Sequence, residues 1–348
     1  MKKIIKSFTY AMQSPARTIA IINLYKALQG RYKITTILAH MYRESYYAKK
    51  GINNKHGQER VPGAIEDRPI IVNIHDGLVH SGGLTDRLKG ICTLYQFAKT
   101  NDYKFKIHFV HPFRLEKYLV PNLYDWSIKD SAVIFHLDES AIYTWEREEL
   151  AEKFFQLNAD KLQLHVACNS AECLPVYSLV FHELFKPSFL LNNSLEYHLQ
   201  KLGGKEQYIA ISLRFQNLLG EFKEANSNAL TLENRDILIN NCLTAINNIR
   251  EQHPKCSKVL VTSDSNIFRE IATSAYSYIY TFIIPEEIGH MDYADAGKGK
   301  ELTAFLDMYR ISNSAKAYQI RNRNMYNSDF PKMAALISNV QYEMILIS

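Results

Sequence analysis

The run Pro69-Ile70-Ile71-Val72-Asn73-Ile74 decides the fold class, because this short apolar and β-branched stretch ends in a turn signal, Asp76-Gly77. Such a run, bounded by glycine, is typical of a buried strand. It leads into Ser81-Gly82-Gly83-Leu84-Thr85-Asp86-Arg87, after which apolar side chains recur at helical spacing as far as Leu94. A second apolar run follows at residues 105–110. The order strand, glycine loop, helix and strand predicts a βαβ unit of parallel sheet.

The rest of the first half continues this alternation. We predict a strand at residues 131–135, a helix near residues 145–157 and a strand at residues 162–167. Upstream, residues 16–48 carry apolar side chains at helical spacing, which predicts a helical N-terminal segment.

The pattern restarts after Gly203-Gly204. Residues 208–214, Tyr-Ile-Ala-Ile-Ser-Leu-Arg, predict a strand, a helix follows over about residues 232–252, and a further strand is expected at residues 258–262. We therefore predict two Rossmann-like α/β domains, residues 1–202 and residues 203–348. Open parallel sheets bind ligands beyond the carboxyl ends of their strands, so we expect a ligand cleft between the domains.

Composition narrows the class of function. The 348 residues suit two domains, and the formal charge of +5 is accompanied by 36 acidic residues, which fits a small anion or a membrane surface better than nucleic acid. The five cysteines have no zinc-ligand spacing, so we expect reduced thiols and no metal. No apolar run is long enough to span a membrane, which predicts a cytoplasmic protein.

The N-terminal stretch allows two interpretations. Lys2, Lys3 and Lys6 alternate with apolar residues, so the segment either lies on the cytoplasmic face of an anionic bilayer or packs as an ordinary surface helix. The second interpretation is the favoured one, because amphipathic helices usually reflect core packing.

Residues 82–87 form the first candidate binding element. Gly82 and Gly83 allow close backbone approach, and the helix that begins beside Asp86 and Arg87 favours an anion at its N-terminus. A plain tight turn before a helix is an equally good interpretation, since neither the GxGxxG nor the GxxxxGK[ST] pattern is present.

Arg214 is the second candidate, at the end of its predicted strand. A guanidinium group presents a permanently charged planar fork that suits a diphosphate, although a surface salt bridge explains the position equally well. Glu221, seven residues later, has the chemistry of a general base for an acceptor hydroxyl, or of a solvated loop carboxylate.

Two further segments carry polar groups near predicted strand ends. In Val261-Thr262-Ser263-Asp264-Ser265 a carboxylate follows a buried strand, where it binds a base edge or a ribose, or caps the next helix. In residues 323–336, Asn327, Ser328 and Asp329 precede a helix with Pro331 in its first turn, and free amides there would bind a phosphate oxygen.

Together these landmarks resemble the fucosyltransferase superfamily, which includes the α-1,2-, α-1,6- and protein O-fucosyltransferases. The resemblance rests on Gly-Gly-Leu-Thr-Asp-Arg-Leu-Lys-Gly-Ile at residues 82–91, the Arg214 strand, residues 261–265 and the late Asn-Ser-Asp-Phe-Pro-Lys-Met-Ala-Ala segment, in this order over about residues 70–340. One departure is Ser212, where many members place a histidine two residues before the arginine.

The resemblance implies a GT-B fold, in which two Rossmann-like domains face a central cleft, and an inverting, metal-independent reaction with GDP-fucose as donor and no other cofactor. It implies that Arg214 neutralises the departing β-phosphate, that Asp264 contacts the guanosine, and that Ser328 with its neighbouring amides holds the diphosphate. The other expected donor-binding residues are Ser263, Asn327 and Asp329. Gly82, Gly83, Asp86 and Arg87 would lie on the cleft side of the N-terminal domain, and Glu221 falls near a catalytic carboxylate of some members.

The expected function is therefore sugar transfer to a glycan hydroxyl in bacterial surface polysaccharide or lipopolysaccharide synthesis, in the cytoplasm and with a peripheral contact at the inner membrane left open. The alternative is an inactive nucleotide-sugar or glycan-binding protein of the same fold, which Ser212 keeps in consideration. A dinucleotide-dependent oxidoreductase is disfavoured by the missing glycine fingerprint.

Overall fold

The computed structural model describes residue 46 and residues 69–78, 82–145, 148–221, 229–282 and 300–348. The predicted N-terminal helical segment, apart from Tyr46, lies outside the described residues, as does Ser81 of the glycine loop. The described residues divide into two compact units.

Unit 1 contains the described residues up to His111 together with Pro121–Val176. Its sheet is built from β1 (Ile70–His75), β2 (Phe105–Phe109), β4 (Ser140–Thr144) and β5 (Gln163–Ala167), and its helices are α1 (Leu84–Thr100) and α2 (Glu148–Leu157). The four strands are parallel in the order β2-β1-β5-β4, and every residue of β1 is buried. The predicted βαβ unit is confirmed.

The strand predicted at residues 131–135 is wrong. This segment begins with a single 3-10 turn, Asp130–Ala132, and the strand of this region is β4, farther along the chain. Val133 and Phe135 are buried, but the N–H of Ile134 donates to the side chain of Gln163, at 2.9 Å, and not to a strand. The apolar run therefore reflected burial without strand pairing.

Unit 2 contains Pro112–Val120 and Tyr177–Ser348. Its five parallel strands follow the order β11-β10-β7-β8-β9, where the bounds are β7 (Tyr208–Leu213), β8 (Lys258–Ser263), β9 (Ile279–Tyr280), β10 (Lys316–Arg321) and β11 (Tyr342–Leu346). Its helices are α3 (Tyr177–Leu184), α4 (Phe189–Lys201), α5 (Leu232–Glu251), α6 (Asn266–Ala275), α7 (Lys300–Ser312) and α8 (Phe330–Ile337). A separate two-stranded sheet joins β3 (Leu119–Pro121) to β6 (Phe185–Pro187).

The core of unit 2 lies against its central strands. Ile211 of β7 and Val261 of β8 belong to one buried cluster with Ile246 of α5 and Phe268 of α6. Burial of these apolar surfaces, at about 25 cal/mol per Å², stabilises the sheet whose carboxyl edge carries Arg214 and Asp264.

The two units meet in sequence at Val176 and Tyr177, earlier than the predicted boundary at residues 202 and 203. Helix α3 belongs to unit 2, where Ser178 donates to the carbonyl of Ile337 at 2.7 Å. Gly203 and Gly204 have φ angles of 91° and 109°, which glycine adopts readily. They form a turn between α4 and β7, so the glycine pair marks a turn within unit 2.

In unit 1, Gly90 allows α1 to contact the segment after β5 closely. A Cβ atom at Gly90 would lie 1.7 Å from the carbonyl oxygen of Cys168. The obstacle is backbone, which cannot rotate away as a flexible side chain would.

We expect Gly90→Ala to lower the free energy of unfolding by about 1–3 kcal/mol, because the added methyl group overpacks this contact. In an unobstructed helix interior the same substitution raises stability by about 1 kcal/mol, so the sign itself is diagnostic. Urea denaturation measures it. Thr100→Ala, at the exposed end of α1, is the matched control and should change stability little. An increase in stability for Gly90→Ala would contradict the close contact.

Candidate functional site

The candidate site lies at the carboxyl edge of the sheet in unit 2. Leu213, the last residue of β7, is paired with Ser263, the last residue of β8. Arg214 and Asp264 therefore leave neighbouring parallel strands at the same level. The Nε atom of Arg214 lies 3.3 Å from Oδ2 of Asp264, and the arginine side chain is 28% exposed while the carboxylate is buried. The two residues that the sequence placed at strand ends are thus in direct contact.

Asp264 holds the turn that follows β7. Its Oδ1 accepts the N–H of Phe215 and its Oδ2 accepts the N–H of Gln216, each at 2.8 Å. Gln216 has a φ of 51°, a left-handed conformation that is uncommon for a residue other than glycine. These bonds fix the backbone immediately after Arg214. Asp264 therefore orients the guanidinium in two ways, through its contact with Nε and through the main chain that follows.

The pKa of the Asp264 carboxyl is raised overall, because burial outweighs the groups that stabilise its charge. Burial raises the pKa of Asp264, while the Arg214 guanidinium and the N–H donors of the β7 turn oppose that shift. Asp264 does not cap the next helix: the hydroxyl of Ser265 does, accepting the N–H of Phe268 at 3.1 Å. The observed role of Asp264 is a third one, which is to position Arg214.

Ser263 is engaged locally. Its hydroxyl accepts the N–H of Ser265 at 3.2 Å, and its carbonyl oxygen accepts from the Nε of Arg269 at 3.0 Å. Arg269 is buried, and Nη1 of the same guanidinium donates to the carbonyl of Phe282. Arg269 therefore connects the end of β8 to the segment after β9. These bonds fix the position of the backbone just before Asp264.

Glu221 lies at the N-terminus of α6. Its Oε1 accepts the N–H groups of Asn266 and Ile267, each at 3.1 Å, and its Oε2 accepts from the hydroxyl of Ser265. A negative group at this end of a helix is stabilised by the unpaired amides and by the helix dipole. Both carboxylate oxygens are committed to the helix, so the geometry favours a capping role over the predicted general base.

The late polar segment reaches Arg214 through its backbone. The N–H of Tyr326 donates to the carbonyl of Arg214 at 3.2 Å, and Asn322 holds the preceding turn by accepting the N–H groups of Asn324 and Met325, each at 2.9 Å. The structure thus brings three chain segments, those after β7, β8 and β10, to one edge of one sheet.

At the start of α8, few amides remain for an anion. Ser328 accepts the N–H of Phe330 at 3.2 Å, and Pro331 has no N–H to donate. The side chain of Asp329 makes no capping bond and is exposed, as is Asn327. The N–H of Lys332 is the remaining donor of the first turn.

The loop at residues 82–87 is held within unit 1. Asp86 accepts the N–H of Gly83 at 3.2 Å and pairs with Lys89 at 2.9 Å. Arg87 is buried: it donates from Nε to the carbonyl of Gly82 at 3.1 Å and from Nη1 to that of His111 at 2.7 Å. The Arg87 guanidinium therefore connects the glycine loop to the segment after β2 and acts as a structural tie.

A buried pair of hydroxyl groups, which the sequence did not predict, lies two residues before Arg214 and Asp264 on their strands. Ser212 and Thr262 lie opposite each other on β7 and β8, and their hydroxyl oxygens are 2.7 Å apart. The available signal was positional, since each lies two residues before a candidate ligand, Arg214 or Asp264. No pattern in the sequence indicated that Arg269 is buried and bonded to the end of β8.

Two features that would indicate a membrane or a metal ion as partner are absent from the described residues. Within these ranges no helix combines the length and the apolar composition that a membrane span needs. The same part of the chain holds no group of three or more His, Cys, Asp or Glu side chains placed to bind a metal ion.

Several solved structures have a fold similar to that of this chain. A mutant of FUT1 from Arabidopsis thaliana, solved in complex with GDP, matches with a TM-score of 0.53 at 12% identity, over 90% of this chain and 80% of that one. NodZ, an α-1,6-fucosyltransferase soaked with GDP-fucose, matches with a TM-score of 0.52 at 14% identity, over 78% of this chain and 93% of that one. The chain has the GT-B fold of the fucosyltransferases.

The fold match confirms the fold class that the sequence resemblance implied. Fucosyltransferase NodZ from Bradyrhizobium gives the same result, with a TM-score of 0.50 at 14% identity over 78% of this chain and 94% of that one. No protein-family model and no curated protein sequence matches the chain. The similarity is therefore one of fold, in the arrangement of strands and helices.

We expect Glu221→Ala to lower the free energy of unfolding by about 1 kcal/mol, because the substitution leaves the amides of Asn266 and Ile267 without their acceptor. Glu221→Gln should lose less, since its amide oxygen still accepts. Thermal and urea denaturation measure both variants. Glu270→Ala, on the exposed face of the same helix, is the matched control. Equal stability of Glu221→Ala and the control would contradict the cap.

Proposed function

We propose that the chain is a glycosyltransferase that transfers fucose from GDP-fucose to a glycan hydroxyl. The observation that carries the proposal is Arg214, a partly exposed guanidinium at the carboxyl edge of a parallel sheet, oriented by the buried carboxylate of Asp264. The fold relatives solved with GDP or GDP-fucose supply the donor class. Arg214 is the group in this site with the charge and geometry to bind a diphosphate.

In the proposed reaction the acceptor oxygen attacks the anomeric carbon from the face opposite the leaving diphosphate, and the configuration inverts. Negative charge develops on the β-phosphate as its bond to the sugar breaks. A prepositioned guanidinium stabilises that charge more in the transition state than in the ground state, which is the condition for acceleration. Asp264 acts through Arg214 in this scheme, and it is proposed to contact the guanosine as well.

The second donor contact is proposed at the start of α8. Ser328 lies on the segment that bonds to the main chain of Arg214 through Tyr326, and the N–H of Lys332 belongs to the first turn of the helix that follows. Asn327 is exposed there, where a diphosphate oxygen can accept its amide. No metal ion is required in this proposal.

We propose Glu221 as the base that removes the acceptor proton. Glu221 serves as base only if its carboxylate leaves the N-terminus of α6, at the cost of three hydrogen bonds. We propose the acceptor to be a glycan of bacterial surface polysaccharide or lipopolysaccharide, and the site of action to be the cytoplasm or the cytoplasmic face of the inner membrane.

We expect Arg214→Ala to lower kcat/KM for GDP-fucose by about 10²- to 10³-fold, the usual loss when one charge-stabilising donor is removed. Arg214→Lys should recover only part, because an ammonium group cannot reproduce the planar fork. Donor turnover is followed by GDP release. Lys316→Ala removes one positive charge at the opposite end of the sheet, from β10, and is the matched control. Full turnover by folded Arg214→Ala would exclude the assignment.

A second function, binding without catalysis, is favoured by one observation: the carboxylate nearest the site in sequence, Glu221, is committed to a helix. In this case the protein binds a nucleotide sugar with no turnover. Ser212, paired with Thr262, is consistent with it, because many family members have a histidine at the matching position.

A nucleotide screen separates the donor classes. We expect GDP and GDP-fucose to raise the melting temperature, and UDP, CDP and dTDP sugars to leave it unchanged, because a ligand that binds the native state stabilises it. A shift with UDP-sugars and none with GDP would exclude GDP-fucose as donor. A shift with GDP-fucose that is accompanied by no GDP release, with or without acceptor glycans, would support the binding protein over the enzyme.

A further inference from the structure

Three of the five cysteines gather beside α1 in unit 1, whereas the residues of the proposed donor site belong to unit 2. Cys92 lies on α1, while Cys168 and Cys173 lie on the segment that follows β5. All three are free thiols and all three are buried, with at most 2% of each residue exposed. The proposed sugar transfer uses none of them.

Three contacts hold Cys173 over a single turn of α1. Its backbone N–H donates to the hydroxyl of Thr93 at 3.2 Å, and its sulfur lies 3.5 Å from the carbonyl oxygen of Lys89. The side chains of Cys92 and Cys173 are hydrogen-bonded to each other. Because Thr93 follows Cys92 and Lys89 precedes it by one turn, Cys173 is held directly against Cys92.

The two sulfurs differ in reactivity. The hydrogen bond with Cys92 lowers the pKa of the Cys173 thiol against the opposing effect of burial. Burial raises the pKa of both Cys92 and Cys168. The thiolate is the reactive form of cysteine, so Cys173 is the nucleophile of the group and Cys92 is its proton donor.

Access to Cys173 requires only a local opening. The residue lies on a short surface segment in which Asn169, Glu172, Pro175 and Val176 are exposed. The opening breaks the hydrogen bonds that join Ser170 and Cys173 to Thr93, and a local opening of a surface segment costs less free energy than unfolding of the whole domain. A small oxidant can therefore reach the sulfur without unfolding of unit 1.

We propose that Cys92 and Cys173 form a redox pair that hydrogen peroxide converts to an intramolecular disulfide. The Cys173 thiolate attacks one peroxide oxygen, the O–O bond breaks, and Cys173 becomes a sulfenic acid while hydroxide leaves and is protonated to water. The Cys92 sulfur then attacks the sulfenic sulfur, the S–S bond forms, and a second water leaves with the Cys92 proton. Two thiols lose two electrons and peroxide is reduced to two waters.

The disulfide would attach the segment between β5 and α3 to α1 by a covalent bond. This segment ends at Val176, the last residue of unit 1. A crosslink that closes a long loop restricts the unfolded chain more than the folded one, so the oxidised protein should melt at a higher temperature than the reduced protein.

The test uses the full-length reduced protein, treated with hydrogen peroxide under native conditions, and then alkylated and digested. We expect the loss of two thiols per chain, a mass decrease of two hydrogens, a single crosslinked peptide pair that joins Cys92 to Cys173, and a rise in melting temperature that dithiothreitol reverses. Peptide mapping of the wild-type chain needs no variant, so the result does not depend on whether a substituted core folds.

Variants sharpen the assignment. Cys92→Ser and Cys173→Ser should each abolish the crosslink, and Cys92→Ala gives a second version of the first in case serine is not accepted in the core. Cys242→Ser and Cys256→Ser, at buried thiols of unit 2, are the matched controls and should leave the crosslink intact. A crosslink to Cys168, a crosslink that persists in Cys92→Ser, or oxidation of Cys173 without any disulfide would overturn the proposal.

Discussion

A buried carboxylate organises the carboxyl edge of the second sheet. Removing an ionised group from water is costly unless it is paired and hydrogen-bonded, and Asp264 meets both conditions through Arg214 and the amides of Phe215 and Gln216. The dependence is mutual: the carboxylate needs these donors to remain charged, and the arginine needs the carboxylate to remain oriented. The proposed contact between Arg214 and a diphosphate depends on this pair.

The same edge carries a second anion at a helix start. Glu221 neutralises the N-terminus of α6, while Asp264 neutralises Arg214, so the protein supplies its own negative groups to both of these positive features. In the proposed reaction an incoming diphosphate therefore meets a partly neutralised surface, and its binding depends on the part of the Arg214 guanidinium that faces solvent. This limits how far a single arginine can raise affinity and favours its use where charge develops during the reaction.

The sequence predicted the strands of this sheet well, because Tyr208–Leu213 and Lys258–Ser263 are nearly continuous apolar runs, as buried parallel strands require. It predicted the meeting of Arg214 and Asp264 for the same reason, since parallel strands end at one edge. It could not predict the role of Glu221, which depends on a contact across 45 positions with Asn266. The strand predicted at residues 131–135 was wrong because burial alone selects the same apolar residues as strand pairing.

The hydroxyl pair of Ser212 and Thr262 couples two positions that are distant in sequence, so that a change at one affects the other. Both side chains are buried and in contact, so there is space for two small polar groups and for little more. A histidine at position 212 would need a smaller residue at position 262 and a new partner for its ring nitrogens. A substitution at position 212 therefore has to be compensated by one at position 262. Redesign of the donor preference has to alter β7 and β8 together.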